Sequence, residues 1–170
     1  MTEMKGSTPE QTAAEEAGPG AEVDRTALAA LVREVTATHF VVWAVSDSGG
    51  LQSTKIRVSD VAQQIAGAVR ILDRNFDQAM QMLVAASNAF DATVQRWEAQ
   101  VRQSEQKLRA NRNAGKLNQV KGQHNQIRTR VAPTKSVFRR VILMFQETDS
   151  RYRRQASGLS PNAGDVADQA

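Results

Sequence analysis

From Val61 to Leu108 apolar residues recur at helical spacing with no Gly-Pro pair to interrupt them. That run is enough for ~50 residues, or ~75 Å, of helix at ~1.5 Å per residue. The pattern changes along its length. Val61, Ile65, Val69, Leu72, Phe76, Met80 and Leu83 form a main stripe, and Ala62, Ala66, Ile71, Met82 and Val84 widen it. A helix apolar on several sides needs more than one neighbour to cover it. From Met80 onward the stripe narrows to heptad steps through Leu83, Ser87, Phe90, Val94, Trp97, Val101, Ser104 and Leu108. This is the seam of a two-helix contact, weakened where the two serines fall on it.

The remaining segments are read against that helix. Leu28, Leu31, Val35, Thr38, Val42 and Val45 alternate steps of three and four, which predicts a first helix over 25–45 with Asp24 as its cap. The β-branched stretch from Thr36 to Val45 makes a short strand the rival reading there. Asp47-Ser48-Gly49-Gly50 is turn chemistry. The second helix is expected over 60–110, capped by the Ser59 hydroxyl with Asp60 favourable to the dipole. Asn111 to Gly115 reverses the chain, with Asn and Gly able to take the left-handed conformation. Leu117, Val120, His124, Ile127 and Val131 predict a third helix over 116–131. Pro133 interrupts it, and a fourth, over 134–156, carries Val137, Phe138, Val141, Ile142, Phe145 and Tyr152.

The expected fold is therefore all-α. It is an elongated bundle with about three helices at its base and a long antiparallel coiled-coil hairpin projecting from it. Residues 1–23 and 157–170 are rich in Gly, Pro, Ser and acids, and read as disordered tails flanking a single helical domain over 24–156. Cysteine is absent, which excludes disulfides and thiolate metal sites. No basic-then-apolar leader follows Met1, and the longest apolar run, Phe40 to Val45, is too short to span a bilayer. The expectation is a soluble, cytoplasmic protein.

The net charge of +4 hides an uneven distribution. Residues 99–160 carry fourteen bases against three acids, while residues 1–60 carry nine acids against five bases. Around the reversal stand Arg102, Lys107, Arg109, Arg112, Lys116, Lys121, Arg128 and Arg130, with Glu105 the one acid among them. Solvated helix faces usually mix signs, so this set is the candidate contact for an anionic partner, whether phosphates or carboxylates. The acidic tails are a rival source of that anion. A second basic cluster, Arg139-Arg140 and Arg151-Tyr152-Arg153-Arg154, lies on the fourth helix, where charge–dipole interaction explains its last members. One interleaved tyrosine is weak support for base stacking.

Nothing in the sequence assembles a catalytic or cofactor-binding set. His39 and His124 have no ligand-spaced partners, and His124 sits on the third helix's seam as a satisfied seam histidine rather than a metal ligand. No phosphate-binding Gly loop, HExxH or nucleophile elbow is present. Thr54 to Phe76 invites a helix-turn-helix reading, but Gly67 is followed by unbroken helical phase instead of a turn. Trp97 and Tyr152 on a helical hairpin form a pattern that resembles the small secreted helical-hairpin proteins of actinobacteria. Glu98 stands where that family has Gly after its Trp, and Ala156 stands where an acid follows its Tyr by four residues. Both diagnostic motifs fail, and no family is assigned.

The sequence thus leads to a non-catalytic structural or assembly protein without metal or cofactor, acting by coiled-coil self-association or by docking to a larger complex. Phe90, Val94, Trp97 and Val101 are its candidate interface, against which stands the reading of Trp97 as a core filler between the second and third helices. The alternative is a nucleic-acid-binding packaging, coat or nucleoid-type protein using the basic hairpin. Membrane binding is disfavoured, since the hairpin lacks the broad apolar face that interfacial insertion requires.

Overall fold

The computed structural model describes residues 18–158. It is mostly helical, with one two-stranded sheet: α1 (Arg25–Ala37), β1 (Phe40–Val45), β2 (Leu51–Ile56), α2 (Ser59–Ile71), α3 (Phe76–Ala110) and α4 (Ala114–Ala156). A 3₁₀ turn, Pro19–Glu22, precedes α1. No helix among the described residues is long and apolar enough to cross a membrane.

Three expected boundaries are corrected. The first helix ends at Ala37, and Phe40 to Val45 are a strand, so the fold is not purely helical. Asp24 does cap α1, accepting from the Thr26 amide at 2.9 Å. Beyond Thr38 the run Phe40-Val41-Val42-Trp43 is β-branched and aromatic, which suits a pleated surface packed on one side. Phe40 and Val42 point into the core, and the Asp47–Gly50 turn joins the strand to β2, antiparallel with Val42 opposite Thr54. Gly49 takes φ 83° in that turn, a conformation glycine adopts without steric cost.

The expected continuous helix over 60–110 is the second correction. The chain reverses at residues 72–75, where the Arg74 and Asn75 amides donate to the Ile71 carbonyl. The Asn75 side chain then caps α3 through the Gln78 amide at 3.1 Å. α2 folds back along α3, with Gly67 so close to Met82 that a Cβ there would lie 2.6 Å from the methionine methyl. The break was hidden because Leu72, Phe76, Ala79 and Leu83 stay in helical phase across it. Gly67 itself lies in mid-helix, as expected. The capping role assigned to the Ser59 hydroxyl lies outside the described side chains.

The third correction is at Pro133, which interrupts nothing: α4 runs through it to Ala156. Its ring is on the exposed face, so the loss is the single bond its missing N–H would make to the Thr129 carbonyl. The buried line Val120, His124, Ile127, Thr134, Phe138, Val141, Phe145 and Thr148 keeps its phase past the proline.

α3 and α4 lie antiparallel. As numbering rises on α3 it falls on α4, from Asp77 with Arg153 through Asp91 with Lys135 and Glu98 with Arg128 to Glu105 with His124. At the proximal end α1 and α2 cover the pair, and Phe76 stacks on Phe145 at 5.2 Å. In the distal half β1 replaces them, with Phe40 against Phe90 and Trp97 at 5.8 and 5.7 Å. The packed part also begins before residue 24. Val23 is buried, and the backbone at Gly20 sits against the Leu72 carbonyl, leaving no room for a Cβ. The expected tails lie outside the described residues for 1–17 and 159–170.

Candidate functional site

The distal half of the helix pair holds a polar constellation that single-element reasoning leaves unexplained. β1 has β2 on one edge only, so the polar groups of its other edge need partners. Side chains of the helices supply them. Trp97 Nε1 donates to the Val41 carbonyl at 3.0 Å, and Ser104 Oγ donates to the Trp43 carbonyl. The Trp43 amide donates to His124 Nε2 at 3.2 Å. These three groups serve as a third strand would. The serine that weakened the seam and the histidine placed on it are polar because a strand edge lies over them.

His124 is fully buried and bonded at both ring nitrogens. Because Nε2 accepts from an amide, the proton resides on Nδ1, which faces Glu105 Oε1 at 3.2 Å. Burial pushes its pKa below the ordinary histidine value, the Glu105 carboxylate pulls the other way, and Arg128 adds to the lowering. The imidazole is thus a neutral structural group whose ring also packs on Trp43 at 5.6 Å.

The eight basic residues expected to meet an anionic partner divide in two. Arg128 is structural. Its guanidinium makes a two-point bond to Glu98, at 3.0 and 3.1 Å, and lies 5.6 Å over the Trp97 ring. The Glu98 bond raises its pKa further, so its charge is permanent. Arg130 reaches back to the Ala37 carbonyl at 3.4 Å, at the negative end of the α1 dipole. The other six, Arg102, Lys107, Arg109, Arg112, Lys116 and Lys121, form no ion pair among the described residues. They bracket the α3–α4 turn, whose left-handed residue is Arg112 at φ 54° rather than Gly or Asn. Asn113 caps α4 through the Lys116 amide at 3.2 Å.

Phe90, Val94, Trp97 and Val101, expected as an interface, are buried in the chain's own core under β1 and α4. They offer no surface to a partner. Tyr152 is engaged too. Its hydroxyl is 3.1 Å from the Gly18 carbonyl and 3.2 Å from Glu22 Oε1, and Arg151 pairs with the same Glu22 at 3.4 Å. Loss of hydration and the Glu22 charge raise the tyrosine's pKa. The tyrosine ties the N-terminal turn to α4.

An apolar surface that the sequence reading passed over lies on the uncovered side of the α3–α4 pair. Among the described residues the exposed large apolar side chains are Val84, 38% exposed, and Leu143, 49% exposed. Shallow grooves there are lined by Met80, Val84, Ser87 and Asp91 from α3 and by Lys135, Arg139, Ile142, Leu143, Gln146 and Ser150 from α4. Among the described residues, those lining these grooves all belong to α3 and α4. The signal was present in Val84, which follows buried Leu83, and in Leu143, which lies two residues from both Val141 and Phe145 and so on the face opposite α4's buried stripe. No cluster of His, Asp or Glu able to hold a metal is found among the described residues. Comparison with protein families, with curated proteins and with solved structures found no match.

Proposed function

We propose that this chain is a non-catalytic, cytoplasmic assembly protein. In this reading the α3–α4 pair is a long antiparallel coiled-coil hairpin that docks onto another protein surface. The observation that carries it is the uncovered apolar side of the pair, where Val84 and Leu143 are the exposed large apolar side chains among the described residues. A contiguous exposed apolar patch rimmed by charge is a usual mark of a contact surface. The regular three-and-four spacing of buried residues along α4 supports the coiled-coil part. An environment-sensitive naphthalenesulfonate dye tests the reading on dilute full-length protein. Dye fluorescence should rise with the wild type and not with the V84D/L143D double variant. Absence of dye binding to the wild type overturns it.

A second reading rests on a separate observation. The six unpaired bases at the distal turn favour phosphate contact, as in a nucleic-acid packaging, coat or nucleoid-type protein. Electrophoretic shift with unrelated DNA and RNA at two salt concentrations tests it. Binding to duplex DNA should weaken with a log–log slope of about −0.9 per neutralised phosphate. No shift at low salt eliminates this reading.

A further inference from the structure

We propose that the uncovered side of the α3–α4 pair is a homodimer interface, in which α3 of one copy lies antiparallel on α4 of the other. This rests on the assembly reading and names its partner as a second copy of the chain. Two observations carry it, and a third sets its strength.

The first is height. Val84 is midway between Asp77 and Asp91 on α3, and Leu143 is midway, to within a residue, between Lys135 and Arg153 on α4. Because Asp77 meets Arg153 and Asp91 meets Lys135, the two exposed apolar side chains stand at about the same height on the two helices. A two-fold axis parallel to the helices, passing through the groove, sets each Val84 against the other copy's Leu143. The contact is then closed and the same on both sides, as a symmetric dimer requires.

The second is charge. On the uncovered side α3 brings one ionisable residue to the grooves, the acid Asp91, which already pairs with Lys135 of its own chain. α4 lines that side with Lys135, Arg139, Arg151 and Arg154 against Glu147 and Asp149. Setting α3 on the other copy's α4 brings opposite signs together. The alternative axis, perpendicular to the helices, sets α4 on α4 and brings two basic surfaces into contact.

The third is area. The strip from Asp77 to Asp91 is about 21 Å long and two helices, or about 20 Å, wide, so it covers ~400 Å² per copy. That falls below the ~1,200 Å² total at which stable interfaces begin, so the dimer is reversible and concentration-dependent.

The chain contains no cysteine, which makes single-cysteine crosslinking clean. Full-length V84C and L143C are oxidised separately and as a mixture, with sedimentation velocity of the wild type and L143D alongside. Disulfide-linked dimer should form in the mixture well above the yield of either variant alone. The wild-type mass should rise with concentration, and L143D should stay monomeric with unchanged helicity by circular dichroism. Equal or greater crosslinking of V84C with itself overturns the proposed axis. A wild type that remains monomeric at its highest soluble concentration overturns the dimer. The dye result is read on dilute monomer, so it separates that outcome from failure of the assembly reading.

Discussion

The proximal and distal halves of the α3–α4 pair are covered by two different chemistries. At the proximal end helices lie on helices. The contacts are apolar, Phe76 on Phe145 and Gly67 against Met82, and the covering backbones satisfy their own hydrogen bonds. At the distal end a strand lies on helices, and a strand brings an edge that must be answered from outside itself. Trp97, Ser104 and His124 answer it, and the cost is polar groups at positions that would otherwise be aliphatic. The contrast explains why one helix pair has an oily seam at one end and a polar one at the other. It depends on what lies on top, not on the pair itself.

Trp97→Ala should break the distal half most severely, at about 3–5 kcal/mol for a buried tryptophan, with the Val41 carbonyl left unpaired as well. Chemical denaturation followed by circular dichroism measures it. Phe145→Ala should cost a similar amount without loosening β1 selectively. Hydrogen exchange at the Trp43 amide distinguishes the two, and equal loss of protection there in both variants would erase the contrast.

His124→Leu keeps the volume but strands the Trp43 amide and Glu105, and should destabilise by about 1–3 kcal/mol. A neutral result in the same denaturation assay would mean that β1 is held by packing alone.

The distal half should also respond to acid. His124 has a lowered pKa in the folded chain, so below about 6.5 the unfolded chain takes up a proton that the native ring refuses. This contribution to stability is fully present above about 6.5 and is lost as pH falls from there towards the lowered native value. Protonating Nε2 would abolish its bond from the Trp43 amide, so protection of that amide should fall first. Denaturation midpoints at about pH 7.5 and about pH 5.5 should differ more for the wild type than for H124Q.

The smallest effect is expected at the proximal end. Gly67→Ala gains up to about 1 kcal/mol of helix propensity but presses on the flexible end of Met82, so the two terms nearly cancel. A melting temperature moved by many degrees in either direction would show that α2 and α3 pack more rigidly than described.

The sequence made the helical faces legible and hid the breaks between them, for one physical reason. A four-residue reversal at 72–75 returns the chain in the same apolar phase, so Leu72 and Phe76 read as consecutive turns of one helix. The same phase argument, followed from Ile127 through Val131 and Thr134 to Phe138, runs straight across Pro133, so the proline carried more weight than the pattern allows. β2 was illegible because only Ile56 of its six residues is buried. Without β2, the run Phe40 to Val45 had no visible pairing partner, and the polar residues at 104 and 124 had no visible reason. Of the basic candidates, Arg128 and Arg130 were absorbed by contacts to Glu98 and Ala37, which lie far from them in sequence. No local pattern reports such contacts.

The three side chains that hold β1 do not come from one place. Trp97 and Ser104 arrive on α3 and His124 on α4, so the cradle for the strand exists only after those helices have met. It grips three backbone atoms, the Val41 carbonyl and both polar groups of Trp43, so a strand slid by one residue would turn these groups away and engage none of them. Docking of the hairpin is therefore a check that the helices have paired in register. Packing of the half-buried Trp43 ring against His124 gives that check a fluorescent reporter.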